Sequence, residues 1–347
     1  MNYLRTDELV PGMKLGKNVY NEFGNVLLPE KVELTTRLID LLMSWEIEYV
    51  IVEDEPDAKI RTRGTRQRFL IQKYEDNVDE IVKLMEGIKG SKNLDFNVIN
   101  EVTQEVMEFA SNMESIKLIN EMKSKDKYTY QHSLNVSVYA YLISKWLDYD
   151  PEKAKQISMA SILHDVGKMK VPERILKKPG KLTEDEWKEV KRHPEYGYDL
   201  ICNSNGFDKE IALAVLQHHE RNDGSGYPFG LFRDNISESA KIIAVADTFD
   251  AITSDRVYDR RRTPFAAVEE IRNDAFRNLD PNIALMFYNK ILNFFIGSKI
   301  MLSNGEIGDI LLFNKENFNR PLVKLGSKVV DLAKERDKEI VDVLIMK

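Results

Sequence analysis

All five histidines of this 347-residue chain, His132, His164, His193, His218 and His219, fall inside one 88-residue window. Neutral imidazole and ionised carboxylate are the usual ligands of first-row transition metals, so a dense His/Asp cluster points to a metal centre. Two doublets stand out, His164-Asp165 and His218-His219. Adjacent helical residues point about 100° apart, so such a pair cannot stack on one face but can bracket two ions lodged beside it. Two doublets therefore suggest two metals. Asp247, inside the apolar run Ile242 to Ala246, needs a partner to be tolerated there, either a metal or a hydroxyl such as that of Thr253. A lone histidine is more often a surface or hydrogen-bonded core residue, and His193, just before Pro194, also reads as a helix end. The absence of histidine elsewhere, the two doublets and the apolar-flanked acid together favour the metal.

The elements that would position these groups are helices. His132 falls in the first turns of a helix from Thr129 to about Leu147, and His164-Asp165 closes the next, where Ile157, Met159, Ile162 and Leu163 give way to Gly167. His218-His219 ends a third, Ile211 to Leu216, before the glycine-rich Asn222 to Pro228, and Asp247 lies in a fourth, Ala240 to Ile252. Helix punctuation supports the assignment: Asp150-Pro151, Thr263-Pro264 and Asp280-Pro281 pair an N-cap with proline at the first helical position, and Thr183 to Glu186 is a capping box.

Around this helical stretch the pattern changes. Residues 1–56 alternate short apolar runs with turn signals (Pro11-Gly12, Phe23-Gly24-Asn25), then a helix near Leu34 to Ser44 and a strand-like Glu48 to Val52, a small α+β module. Residues 57–122 hold a linker and a helical segment. The acidic run Glu53 to Asp57 and the basic Lys59, Arg61, Arg63, Arg66 and Arg68 read as a solvated linker around Gly64, with a basic nucleotide or membrane patch as the other reading. Residues 123–297 form the helical domain. Residues 298–347, with Ile300 to Leu302, the turn pair Asn304-Gly305, Ile310 to Phe313 and Ile340 to Ile345, form a small β-rich appendage. The fold class is mainly α.

Composition narrows the function. With 43% apolar and 31% charged residues the chain is of ordinary globular type, long enough for about two or three domains. Its single cysteine, Cys202, excludes an intramolecular disulfide and suits a reducing cytosol, and the polar start Met1 to Asp7 is no signal peptide, so a cytoplasmic location is expected. No apolar run approaches the ~20 residues of a bilayer span. A net charge of -7 argues against nucleic-acid polymers, so an anionic substrate must be held locally.

The motifs carry a family resemblance. Tyr128-Thr129-Tyr130-Gln131-His132-Ser133, His164-Asp165-Val166-Gly167-Lys168, Arg192-His193-Pro194-Glu195, His218-His219-Glu220, Asp223 to Leu231, Val245-Ala246-Asp247 and Ser254-Asp255-Arg256 occur in order between about Lys123 and Phe276. They resemble the HD superfamily of metal-dependent phosphohydrolases and, more sharply, its HD-GYP branch. That resemblance implies an all-helical catalytic domain, usually a homodimer, that hydrolyses bacterial cyclic dinucleotides, chiefly cyclic di-GMP, with two or sometimes three iron or manganese ions. Zinc also suits these ligands. By position, His132, His164 and Asp247 would hold one ion, His193, His218 and His219 the other, and Asp165 would bridge. A hydroxide shared by two ions roughly 3.5–4 Å apart is a nucleophile at neutral pH, and the ions also offset phosphate charge.

Further residues follow from the same resemblance. Lys168 would contact the phosphate or leaving oxygen, although alone it reads as an exposed lysine. Gly224 and Gly226 permit positive φ and close backbone approach, and Pro228 fixes φ beside Tyr227, so the loop can cap the site, although structure alone could require this. The resemblance makes Tyr227 an organiser of the substrate pocket and a feature read by protein partners. Of the arginines after the Asp247 helix, Arg256 is the one expected to grip phosphate or guanine. Members with a third metal carry glutamate where this chain has Tyr128, so two ions are expected, and Asp259 after Tyr258 departs from the usual lysine or arginine. The expected reaction is opening of cyclic di-GMP to linear pGpG and onward to GMP. The rivals are another HD phosphohydrolase acting on nucleotides or a hybrid cyclic dinucleotide, a metal-free binding module, and a cyclic-dinucleotide receptor whose outer modules dock partners.

Overall fold

Aspartate, threonine and proline open the helices of the computed structural model where capping chemistry requires. It describes residues 2–6, 9, 11–20, 26–45, 47, 49–53, 58–89, 93–111, 113–119, 127–253, 264–274, 277–314, 317–335 and 337–344. The chain divides into two compact units, residues 1–73 and 74–347.

In the first unit, β1 (Asn2–Arg5) pairs antiparallel with β4 (Tyr49–Val52), and β2 (Val19–Tyr20) pairs with β3 (Val26–Leu28). Between them α1 (Thr36–Ser44) starts at Thr35, whose side chain accepts from the Leu38 amide. Leu15, Leu34, Leu42, Val50 and Val52 close its core. This is the α+β arrangement expected from alternation and turn signals; Phe23-Gly24-Asn25 lies outside the described residues.

α2 (Ala58–Lys89) corrects the linker reading of its basic block, since Lys59 to Arg68 belongs to one continuous helix. Arginine, lysine and glutamine are good helix formers, and a single glycine, Gly64, costs about 1 kcal/mol, too little to break the helix. Farther along, Tyr74, Val78, Ile81, Met85 and Ile88 are buried at alternating spacings of four and three, the stripe of a helix laid on a core.

That core belongs to the second unit. α3 (Phe96–Ala110) and α4 (Met113–Ile119) lead to α5 (Tyr128–Trp146), α6 (Pro151–Leu163), a 3-10 turn (Val166–Lys170), α7 (Glu173–Leu176), α8 (Glu184–Val190), α9 (His193–Cys202), α10 (Lys209–Gln217) and α11 (Glu238–Thr253). α12 (Pro264–Asp274) and α13 (Pro281–Ile291) complete it. Asp150, Thr183 and Asp280 cap as the sequence predicts, with both halves of the Thr183/Glu186 box formed; Thr263 lies outside the described residues. α5 is buried all round from Gln131 to Ser144, the mark of a central helix. It packs chiefly on α6 and α11. Small residues Ser133, Ser137, Ala140 and Ser144 line it at helical spacing, and the Ser137 hydroxyl donates to the Ser158 carbonyl of α6 at 2.8 Å. Tyr139, Phe249 and Phe287 lock α5, α11 and α13 with ring centroids 5.0 to 6.4 Å apart.

After Gly297, strands β5 (Lys299–Leu302), β6 (Ile307–Leu312), β7 (Leu322–Leu325), β8 (Lys328–Asp331) and β9 (Ile340–Leu344) form one antiparallel sheet in the order β8-β7-β6-β5-β9. Asn304-Gly305 makes the β5–β6 turn, with Gly305 at φ +84°. Among the described residues no helix is long and apolar enough to cross a membrane.

Candidate metal centre

The centre lies where the ends of α6, α8 and α10 meet the starts of α5 and α9 and the middle of α11. His132 sits one turn into α5, His164 and Asp165 follow α6, and His218 and His219 follow α10. His193 begins α9 instead of ending a helix, because Pro194 suits the first turn, where its missing N–H is no loss.

Four of the imidazoles are held from behind. Each Nδ1 has a partner that only accepts: Ser161 O for His164 (2.7 Å), Val190 O for His193 (2.8 Å), Val215 O for His218 (2.6 Å), and the Asp250 carboxylate for His132 (2.7 Å). In three cases the carbonyl lies three residues back, in the last turn of the preceding helix. A proton on Nδ1 turns Nε2 inward as the nitrogen for a metal, at once in a neutral imidazole and at His132 after loss of the proton shared with Asp247.

The inward atoms converge on Asp165. One ligand atom each from Asp165, His193, His218 and His219 lies within 4.8 Å of the others, and His132, His164 and Asp165 form a second such group. Asp165 belongs to both. Its Oδ2 lies 3.4 Å from His164 Nε2 and 2.6 Å from Lys168 Nζ, and its Oδ1 lies 3.3 Å from His193 Nε2. Asp247 joins through His132, with 3.1 Å between Oδ1 and Nε2. It makes no use of the Thr253 hydroxyl, which turns back to Phe249 O.

The electrostatics follow from crowding. Burial opposes charge on Asp165, but Lys168 and the imidazoles outweigh it and hold its carboxyl well below the usual range; His132 does the same for Asp247. Burial and neighbouring imidazoles push His218 and His219 well below the ordinary histidine value, so both are neutral at pH 7 and able to bind metal. For His132, burial lowers the value, yet Asp247 and Asp250 raise it to about 10.

A divalent cation suits this donor set. Asp165 Oδ1 is wholly buried and makes no hydrogen bond to any described residue, an orphan that a cation would satisfy. Acid and imidazole without thiolate is the donor chemistry of iron, manganese or zinc.

The glycine-rich loop folds over the His219 side. Tyr227 lies 4.6 Å from the His219 ring, centroid to centroid, and its N–H donates to His219 O. Burial, then Asp165 and Asp247, push its phenol well above the ordinary value, so it stays protonated. A Cβ at Gly226 would lie 2.5 Å from Glu220 Cα and His219 O, so close approach demands glycine there. Lys191 Nζ lies 5.3 Å from the Tyr227 ring. Arg256, Tyr258 and Asp259 lie outside the described residues.

Two acids support the centre, Asp250, which no motif in the sequence marks, and Glu220, which the motif His218-His219-Glu220 contains without showing its role. Asp250, fully buried, orients His132. Glu220, beside His219, accepts from the Phe229 and Leu231 amides at 2.8 Å each and clamps the loop. A signal for Asp250 did exist, since it lies three residues after Asp247 on the same helix, where two acids share a face.

Comparison with known proteins accords with this arrangement. A family model described as an HD domain matches residues 116–283. The chain is 34% identical over 231 residues to cyclic di-GMP phosphodiesterase PA4108 of Pseudomonas aeruginosa, covering 66% of this chain and 54% of that protein. It is 41% identical over 184 residues to the cyclic di-GMP phosphodiesterase response regulator RpfG of Xanthomonas campestris pv. campestris, covering 53% and 47%. The chain thus spans about half the length of these relatives. Among solved structures, Bd1817, an HDG"Y"P protein from Bdellovibrio bacteriovorus, superposes with a TM-score of 0.52 at 16% identity, over 84% of this chain and 99% of that one, a likeness of fold.

Proposed function

We propose that this chain, in which residues 116–283 match the HD domain family model, is a two-metal phosphodiesterase that opens cyclic di-GMP to the linear dinucleotide pGpG and carries it onward to GMP. His132, His164 and Asp247 would hold one divalent ion and His193, His218 and His219 the other, with Asp165 placed to serve both. The observation that carries the reading is Asp165 itself, shared by both ligand groups and left with a buried oxygen that accepts no hydrogen bond. When bound, two such ions, iron or manganese in preference to zinc, would supply Lewis-acid activation of water and offset the charge of the scissile phosphate.

The chain's own residues do the rest. The Nδ1 anchors fix four of the five imidazoles before a metal arrives, so little reorganisation is needed on binding. Lys168, 29% exposed beside Asp165, offers a cation to the phosphate or the leaving oxygen. Tyr227 shapes the pocket wall over His219 as a protonated phenol, and Arg256 grips phosphate or guanine. The aromatic ring of Tyr128, nearly parallel to His132 at 6.1 Å, stands where a third metal would need a carboxylate, which favours two ions. We assign residues 123–297 to catalysis and the outer segments to accessory modules, the protein acting in the cytoplasm as a homodimer with the Gly-Tyr-Pro loop available to partners.

The test is elemental analysis of anaerobically purified protein together with a cleavage assay on the same sample. The substrates are cyclic di-GMP, a hybrid cyclic GMP-AMP and nucleoside triphosphates. Wild type should contain two metals per chain and cleave cyclic di-GMP fastest. Asp165→Ala should lose turnover while keeping its helical circular dichroism, and retained turnover would overturn the reading. Binding without cleavage by a metal-loaded sample would mark a receptor instead.

A further inference from the structure

Behind His132 runs a buried chain of polar groups that the proposed chemistry leaves unused. The Tyr74 hydroxyl donates to Asn135 Oδ1 at 2.8 Å, Asn135 Nδ2 donates to Asp250 Oδ1 at 2.9 Å, and Asp250 Oδ2 accepts from His132 Nδ1 at 2.7 Å. Tyr74, Asn135 and Asp250 are each no more than 1% exposed. Tyr74 belongs to α2, upstream of the segment that matches the HD domain model. We propose that Tyr74 is a positioning residue for the His132 side of the metal centre, acting through Asn135 and Asp250. The inference rests on the metal-centre reading above.

The polarity of each group dictates its neighbour. An ionised carboxylate only accepts, so Asn135 must turn its NH2 toward Asp250, which leaves its carbonyl oxygen buried and in need of a donor. The Tyr74 hydroxyl is that donor. It holds the amide in place and polarises it, and successive bonds strengthen one another in a dry interior. Asp250, held at Oδ1, then presents Oδ2 to His132 and keeps the proton on Nδ1, so that Nε2, 3.1 Å from Asp247 Oδ1, is the nitrogen turned to the cation site. With phenylalanine at residue 74 the Asn135 oxygen is stranded, the amide seeks another partner, and the carboxylate behind His132 loses its fixed orientation. The ring of Tyr74 also packs near Phe109, with centroids 5.8 Å apart, so a purely structural role for it must be separated from the relay.

The experiment uses the full metal-free chain titrated with Co(II) against a chromophoric chelator, which reads two dissociation constants and the cobalt visible spectrum. His132→Ala is the reference and should weaken one constant. Asp250→Asn should weaken the same constant by about 10–100-fold, and Tyr74→Phe by about 10-fold, the low end for groups outside the ligand sphere. Adding Tyr74→Phe to Asp250→Asn should produce no further loss, since the relay is already cut. Tyr288→Phe is the control, a buried tyrosine whose hydroxyl accepts from Arg272, and should leave both constants unchanged. If Tyr74→Phe leaves both constants unchanged while His132→Ala weakens one, or if its effect persists in full beside Asp250→Asn, the relay is refuted. If His132→Ala itself weakens neither, the metal-centre reading falls and the inference with it.

Discussion

Gly167, within the run His164 to Lys168, joins the two halves of the candidate centre, and a single methyl group there tests the geometry. A Cβ at this position would overlap the His193 carbonyl oxygen outright and lie 2.5 Å from the Gly197 nitrogen and 2.9 Å from the His193 carbonyl carbon. Carbon contacts settle at about 3.5–4.0 Å, so Gly167→Ala must push the start of α9 away by roughly 1 Å. All three obstructing atoms are backbone, and no rotamer change relieves them. Overpacking of this kind costs about 1–3 kcal/mol, and a purely backbone clash belongs at the upper end, about 3 kcal/mol. The displaced residue is His193, whose Nε2 now lies 3.3 Å from Asp165 Oδ1. Metal–ligand distances tolerate only about ±0.2 Å, so the same shift removes one ligand. Urea unfolding of the metal-free variant should show that loss of stability, and titration should show weaker binding at the His193 side with the His132 side less affected. Stability within about 0.5 kcal/mol of wild type, together with unchanged metal binding, would refute the close-approach argument.

Two other perturbations address the surroundings. Glu220→Ala removes two charge-assisted bonds to the loop, and at about 1.5–3 kcal/mol each should lower stability by about 3 kcal/mol. The loop between Arg221 and Phe232 should become a site of limited proteolysis while the metals stay bound; a loop as resistant as wild type would contradict the clamp. Lys168→Met removes the cation that, against burial, does most to hold the Asp165 carboxyl low. That carboxyl's depressed value keeps it ionised until the pH falls through it, so raising the value should move the acid edge of metal retention to higher pH. Metal content measured across an acid titration decides this, and an unmoved edge would show that the imidazoles suffice.

The candidate ligands were legible because histidine is rare in this chain and its copies sit at or near helix ends, where turn chemistry marks the boundaries. Asp165 and Lys168 came with the same motif. The supporting groups were not legible in this way. Asn135 and Asp250 sit within helices buried on nearly all sides, where periodicity carries no facing information, and Tyr74 lies 58 positions before the histidine it supports. Only the fold brings them together. The basic block from Lys59 to Arg68 misled because opposed charge runs signal a linker, whereas its residues individually favour helix and continue into the buried stripe after Tyr74. The alternative reading of His193 as a helix end fails because proline, which follows helix ends, also begins helices, as Pro194 does here.

The most direct measurement is anomalous diffraction, at the absorption edge of the bound metal, from crystals of the anaerobically loaded protein. Two peaks should flank Asp165, each about 2.0–2.2 Å from one of its oxygens, one among His132, His164 and Asp247 and the other among His193, His218 and His219. A single peak, or peaks that leave Asp165 uncoordinated, would contradict the shared-carboxylate centre from which the proposed phosphodiester hydrolysis is argued.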